Sequence, residues 1–563
     1  MSNSPAALKL LRNLARSDAI VRWRNSGVPL SDARPHYNWH MKTRCLLFCV
    51  AAGLLIAQEP APTIKVSSRL IEVTVVVHDR KGDPVTDLTR DDFTIYDKGQ
   101  KQQIRYFSKE GDDPPPESVP VMDNGAVSNR FITVNADGKT RVQPLPDSLT
   151  VILLDGLNTR FTNQVEAKEA LIKFLKQLRT GDRVAIYTLT NDLHILCDFT
   201  SDISKLLADL EGRPAQESAA MAASSYVDAH TGKAEFDAVI NKANAEVAAY
   251  ALERRTQITF LALRSIANHL AGFPGRKNLI WLSGGFPPAL GAIKALSPYN
   301  DVDIAIYPVD ARGLMGMTDW MPSMHAASSL PLSPRGKSMD ERAENDNNWS
   351  LAAMTALAAH TGGEAFINNN DIAGGIRRAV DDARVTYVLY YAPSHNEWNG
   401  EFRDIKIKVD RPGLEARNRS GYYAMPDPPS DKQSRRNLLA EAETNPLGAT
   451  GLTIVARLLD HTLTIALDGH EITFAPNSKG QPDATVDMRM LAFGDQPKPL
   501  SETGHTGHLV VEPEKFDQLM KDGVRLTLNV SLPAKSQRLR LVVRDVASGR
   551  VGSVDVPVGP SAH

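Results

Sequence analysis

The chain has 563 residues, 42% hydrophobic and 23% charged, and its 64 Lys+Arg nearly balance 66 Asp+Glu. At ~100–200 residues per domain, that length predicts about three domains, each able to bury a core. A pI of 6.7 excludes a globally basic nucleic-acid binder, and a mean hydropathy of −0.26 excludes a polytopic membrane protein.

Residues 41–57 read MKTRCLLFCVAAGLLIA: Lys42 and Arg44 precede an apolar run that Gln58-Glu59-Pro60 breaks. This is the layout of a secretory signal peptide, with cleavage after Ala57. The run is short for a transmembrane helix, and an uncleaved N-terminal anchor is the competing reading. Residues 1–40 then read as an upstream extension from a mis-assigned start, with Met41 as the true one, or as an unusually long leader. Of the cysteines Cys45, Cys49 and Cys197, only Cys197 stays in the mature chain. A disulfide framework and a Cys-based zinc cluster are therefore excluded.

Residues 64–108 predict an N-terminal β module. Its strands are Leu70–Val77, Phe93–Tyr96 and Gln103–Phe107, with turns at Asp79–Asp83 and Asp97–Gly99. Residues 109–146, with Pro114, Pro115 and Pro116, predict a polar linker or insertion. Residues 147–425 alternate strands and helices. Leu149–Leu154, Arg183–Tyr187, Asn278–Leu282 and Asp303–Asp310 are predicted strands, with Tyr387–Tyr391 closing the sheet. Gln164–Leu178, Ile258–Leu270, Leu351–His360 and Ala373–Ala383 are predicted helices. Continuous apolar strands fit a parallel sheet covered on both faces, so this is a doubly wound, Rossmann-like α/β domain.

Two stretches interrupt that rhythm. The Ala-rich segment 213–253 reads as a helical excursion or lid, and 316–349 as a long loop. Met315 just before it and Met317, Trp320, Met321 and Met324 at its start form a cluster, either as a recognition patch or as a covering loop. Phe402–Val409 and Leu414–Tyr423 read as a β-hairpin appended to the α/β domain. Residues 426–450 read as a linker, and 451–560 as a C-terminal β-sandwich-like domain.

Certain motifs point to a family. They include Gly82-Asp83-Pro84-Val85, Asp91-Asp92-Phe93, Leu154-Asp155 and Gly181-Asp182-Arg183-Val184. They continue with Pro274-Gly275-Arg276-Lys277, Trp281–Phe286, Tyr307–Gly313, Thr361–Phe366, Tyr390–Pro393 and Arg419–Tyr422. Over residues 64–425 the chain resembles von Willebrand factor A (vWA) proteins, in particular the secreted VWFA-related proteins of Acidobacteria. Each motif is weak alone and specific jointly.

That resemblance implies a metal-ion-dependent adhesion site: D-x-S-x-S after the first strand, a Thr on a neighbouring loop, and an Asp after the fourth strand. Mg²⁺ or another divalent cation would take oxygen ligands there, at the C-terminal edge of the sheet. This sequence has Asp155-Gly156-Leu157-Asn158-Thr159, where Asp155 and Thr159 fit as metal ligands and Leu157 offers no oxygen. Ser283-Gly284-Gly285 replaces the second acidic position, and Thr256 or Thr259 stands in for the loop Thr. The resemblance therefore implies a degenerate site that holds a cation weakly or not at all. Asn158, Ser283, Asp310 and Arg312 are the candidate edge contacts.

Bland readings stand beside these. Asp155 can cap its own loop through backbone N–H groups. Ser283 reads as a tight-turn residue, because no motif places a base beside it. Arg276 and Lys277 read as solvated loop residues, and Cys197 as a small buried hydrophobe. HExxH, GxSxG, GxxxxGK[ST] and EF-hand patterns are missing from the sequence, so no catalytic or cofactor-binding residue is assigned. The expected function is non-catalytic: an exported, periplasmic or extracellular adhesion-type protein with a protein or glycan partner and no nucleic acid. A metal-assisted hydrolase at the same edge and a structural envelope component are the alternatives.

Overall fold

A strand with no polar face has to be covered on both sides, and the centre of this molecule is built on that requirement. The computed structural model describes residues 69–109, most of 122–142, 149–286 and 339–426 with short breaks, 302–314, 439–559 and the strand Ile20–Asn25. The leader at 41–57 and the Met315–Met324 cluster lie outside the described residues.

The chain opens with β1 (Ile71–His78), β2 (Phe93–Asp97), β3 (Gln100–Gln102) and β4 (Ile104–Lys109). The α/β region then runs β5 (Leu149–Asp155), α1 (Phe161–Leu175), β6 (Val184–Leu189), β7 (Leu193–Thr200), α2 (Ile203–Glu211), α3 (Ala219–Ser224) and α4 (Ala234–Leu270). It continues with β8 (Lys277–Ser283), β9 (Ile304–Asp310), α5 (Met339–Thr361) and α6 (Ile372–Asp382). The sheet order is β7-β6-β5-β8-β9, parallel except for the antiparallel edge strand β7. Val151 and Leu153 of β5 pack with α4 and α5 on one face, while Ile152 packs with α1, α2 and α6 on the other. The region is thus doubly wound, and Cys197 lies buried in the second of these cores.

The sheet does not close as the apolar run Tyr387–Tyr391 suggests. That run, β10, lies antiparallel between β1 and β4. It is followed by β11 (Phe402–Val409), β12 (Glu415–Arg417) and β13 (Gly421–Tyr423). The orders are β12-β1-β10-β4 and β13-β11-β2-β3, and both sheets share one core that includes Val73, Ile95, Leu389 and Ile407. The predicted N-terminal module and appended hairpin are therefore one body, with the α/β region inserted in its chain. At the vacated edge of β9, Phe366 makes a single parallel bridge to Val309. Gly363 permits this approach: a Cβ there would sit 2.0 Å from the Ile306 carbonyl oxygen.

The C-terminal region runs β14 (Ile454–Leu459), β15 (Thr462–Leu467), β16 (Pro482–Phe493), β17 (Ser501–Val510), α7 (Pro513–Asp522), β18 (Val524–Asn529), β19 (Arg538–Asp545) and β20 (Val551–Pro557). Two sheets share its core, in the orders β17-β16-β19-β20 and β18-β15-β14. Ile20–Asn25, set aside in the sequence reading, pairs with β17 as an edge strand. Val127–Ser128, read as part of a linker, pairs with β14.

Helix α4 is one continuous helix rather than an excursion followed by a short helix. Its 37 residues span about 55 Å at 1.5 Å per residue. Its C-terminal end packs on the sheet, with Ala262, Leu263 and Ile266 in the core.

Candidate functional site

The C-terminal ends of β5, β8 and β9 lie side by side. Leu154 pairs with Leu282 and Ser283 with Asp310, so Asp155, Ser283 and Asp310 form one row. At ~4.8 Å per strand, the two carboxylates stand about 10 Å apart, too far for one inner coordination shell.

Each polar group in the row is already occupied from within. Asp155 Oδ1 accepts the Asn158 backbone N–H at 2.9 Å and its Nδ2–H at 3.2 Å. Oδ2 accepts from Asn158 Nδ2 at 2.9 Å, Trp281 Nε1 at 3.0 Å and Ser283 Oγ at 2.8 Å. Burial pushes the Asp155 carboxyl above the usual carboxylate range, and the donors of Asn158, Ser283 and Trp281 pull against that. Asn158 passes the contact outward to α4: its Oδ1 accepts from Arg255 Nε at 3.1 Å, and its Nδ2 also donates to Thr259 Oγ1 at 3.0 Å. Arg255 and Thr259 are themselves buried, so a guanidinium stands as the cationic neighbour of Asp155.

Thr159 Oγ1 accepts from the Gly284 N–H at 2.8 Å. Leu157 is fully buried among apolar side chains. Asp310 is gripped by its own near neighbour, with Arg312 Nε on Oδ1 and Nη2 on Oδ2, both at 2.8 Å.

The residues assigned as metal ligands do not fit a divalent cation. N–H and O–H donors are aimed at both oxygens of Asp155 and at Thr159, where a cation would need open lone pairs. Among the described residues no cluster of His, Cys, Asp and Glu could hold a metal ion. The alternative reading of Asp155 describes its geometry: it caps its own loop. Ser283 likewise shares its hydroxyl between Asp155 and the Gly285 carbonyl oxygen.

Arg276 and Lys277 are buried, not solvated. Arg276 donates to Thr74 Oγ1 at 3.2 Å, Tyr307 Oη at 3.1 Å and the Gly362 carbonyl at 2.6 Å. Asp382 accepts from Tyr307 Oη at 2.8 Å and Arg417 Nη1 at 2.6 Å, and faces His78 Nε2 at 2.9 Å. This network joins the start of β8 to β1 and β12, at the opposite edge of the sheet from Asp155.

Beyond the row, α4 projects. Arg255 marks the level of the strand ends, so residues 234–254 extend about 30 Å past them at 1.5 Å per residue. On this projecting part Phe236, Val239, Val247 and Tyr250 are 57–70% exposed, and Leu261, at 60%, continues their line onto the end that packs on the sheet. At about 100° per residue all five fall within an arc of roughly 80°. The sequence reading missed this stripe because its Ala-rich surroundings mask it; testing the angular positions of the large residues would have found it.

Burial holds the imidazoles of His269, His360, His395 and His505 below the ordinary histidine value. The unfolded imidazoles titrate near ~6.5, so this contribution to stability is complete above that pH and lost as pH falls through the lower folded values. The melting temperature is therefore expected to fall between about pH 7.5 and 5.5, with a shallower fall in His269→Phe; scanning calorimetry checks both slopes.

No protein-family model matches the sequence, and no curated protein matches it. Among solved structures, the chain is similar to a von Willebrand factor type A protein from Catenulispora acidiphila, at 12% identity over 81% of this chain and 74% of that one, TM-score 0.23. It is also similar to the ArnB paralog VWA2 from Sulfolobus acidocaldarius, at 10% identity over 83% and 76%, TM-score 0.20. A third is an aerotolerance-related membrane protein from Bacteroides fragilis, at 12% identity over 42% and 98%, TM-score 0.24. No described helix is long and apolar enough to cross a membrane.

Proposed function

We propose that this is a non-catalytic, exported binding protein of vWA type, its α/β domain flanked by β-sandwiches, that captures a protein partner without a metal ion. The observation that carries the reading is the apolar stripe on the projecting part of α4. A helix presenting large side chains at helical spacing is the standard occupant of a groove on another protein. Monomeric proteins seldom leave such a patch in water without use. The row below it supports a rigid platform rather than a reactive centre, because its carboxylates and hydroxyls are committed to one another.

The test is photo-crosslinking of the full-length protein in its native host, with benzoylphenylalanine at Tyr250 and, as a control, at exposed Leu500. One discrete adduct from Tyr250 is expected, reduced to about a tenth or less by Val247→Asp, as for a buried hot-spot contact. No adduct from Tyr250, or the same adduct from Leu500, would overturn the reading.

A further inference from the structure

The large side chains on the outer face of α4 follow a repeat. Phe236 and Val247 are 11 residues apart, as are Val239 and Tyr250, and the same step leads on to half-buried Ile258 and to Leu261. Ala243 and Arg254, both exposed, are also 11 apart and fill the places between. Eleven residues are close to three turns of about 3.6, so the line keeps to one face over its ~38 Å. Along it the steps are three, four, four, three, four, four and three. That series is the same in both directions, which is what a helix needs to pair with an antiparallel copy of itself.

A two-fold axis at the level of Ala248 and Ala249 sets Phe236 against the partner's Leu261, Val239 against the partner's Ile258 and Val247 against the partner's Tyr250. Large side chains meet large ones at each of these levels. The charges choose the same direction. A parallel pair would press Arg254 against its own copy. The antiparallel pair places Arg254 over the partner's Ala243, whose small side chain leaves room, and one turn from the exposed carboxylate of the partner's Glu246. Glu253 falls level between the partner's Lys242 and the partner's Glu246, so its two contacts offset each other.

The ends fit as well. Arg264 and Asn268, the next residues on this side of α4, both bond Glu441, with Asn268 Nδ2 at 2.8 Å from its Oε1. The line is therefore covered from Arg264 onward. In the register above, the partner helix begins at its Ala234 level with Leu263, one residue short of that cover. A groove on an unrelated protein would require neither the symmetry nor this match of lengths.

We propose that the α4 stripe joins two copies of this chain, with the helices antiparallel about a two-fold axis at the level of Ala248 and Ala249. This rests on the reading of the stripe as a protein-binding surface and names its partner.

The test uses the purified full-length protein. Light scattering should give twice the chain mass of 61.5 kDa. Val247→Asp enters a two-fold interface twice, so at about tenfold per hot-spot contact it should weaken association about a hundredfold. Val247 is 57% exposed, so circular dichroism should show the fold unchanged. Phe236→Cys or Leu261→Cys alone should form no disulfide, since each copy of either residue lies about 38 Å from its equivalent. Mixed and oxidised, the two variants should link to each other. A monomer, a dimer that Val247→Asp leaves intact, or a disulfide from Phe236→Cys alone, which marks a parallel pair, would overturn the proposal. Crosslinking from Tyr250 in the host separates this inference from the reading it rests on. An adduct of two copies supports both, an adduct with another protein keeps the binding reading and overturns self-pairing, and no adduct overturns both.

Discussion

Arg276→Met is expected to remove ~3–5 kcal/mol of stability, the loss typical of breaking a buried ionic network from one side. Arg276 is 1% exposed and touches Thr74 of β1, Tyr307 of β9 and the Gly362 carbonyl. Without it the Tyr307 hydroxyl and the Gly362 oxygen lose their donor, and the nearby carboxylates of Asp303 and Asp382 lose a counter-charge. The exposed pair Lys98–Glu401, at 40% and 48% side-chain exposure, provides the contrast: Lys98→Met should be nearly neutral. Urea unfolding of both variants checks the difference, and near-equal losses would refute the role given to Arg276.

The same network sets an acid limit. Burial alone would raise Asp382, but His78, Arg417 and Arg276 together hold its carboxyl below the usual range. Its contribution is therefore present above ~3.9, the unfolded value, and is lost as pH falls through the folded one. Arg276→Met should flatten that acid loss.

How much of this was legible depended on whether the decisive partner is local. The runs Leu149–Leu154 and Asn278–Leu282 announced strands covered on both faces, and they are central strands of the α/β sheet. Tyr387–Tyr391 carries the same signature but is buried in a different sheet, because an apolar run states that it is covered and not by what. Asp155 as cap of its own loop was readable, since its donor Asn158 is three positions away. Arg276 and Lys277 were read as solvated because charged residues are seldom buried, and Arg276's partners Thr74 and Gly362 are remote in sequence. β17 escaped notice because it carries Ser, Glu, Thr, Gly and His and only Leu509 and Val510 as aliphatics.

The strand-end row yields the other large effect. Asp155→Ala is expected to lose ~3–5 kcal/mol, because it strands the donors of Asn158, Trp281 and Ser283 in a dry site and removes a carboxylate whose charge acts on Arg255. If Arg255 is the standing counter-charge of this row, Arg255→Met should soften the loss, and the double-mutant cycle should show coupling of about 1 kcal/mol or more. A resident cation predicts something different. At a hundredfold excess over Kd it would stabilise the wild type by about 2.7 kcal/mol, and Asp155→Ala would erase that gain. Melting of the wild type with Mg²⁺, Mn²⁺, Ca²⁺ or EDTA is expected to give one common midpoint, with Asp155→Ala lower by the same amount in all four. A rise with any of the ions that Asp155→Ala abolishes would show that the row opens to take metal, and the partner would then be sought among acidic ligands held through the ion. A common midpoint together with coupling to Arg255 would mean that the positive charge standing beside Asp155 is an internal guanidinium and not a metal ion.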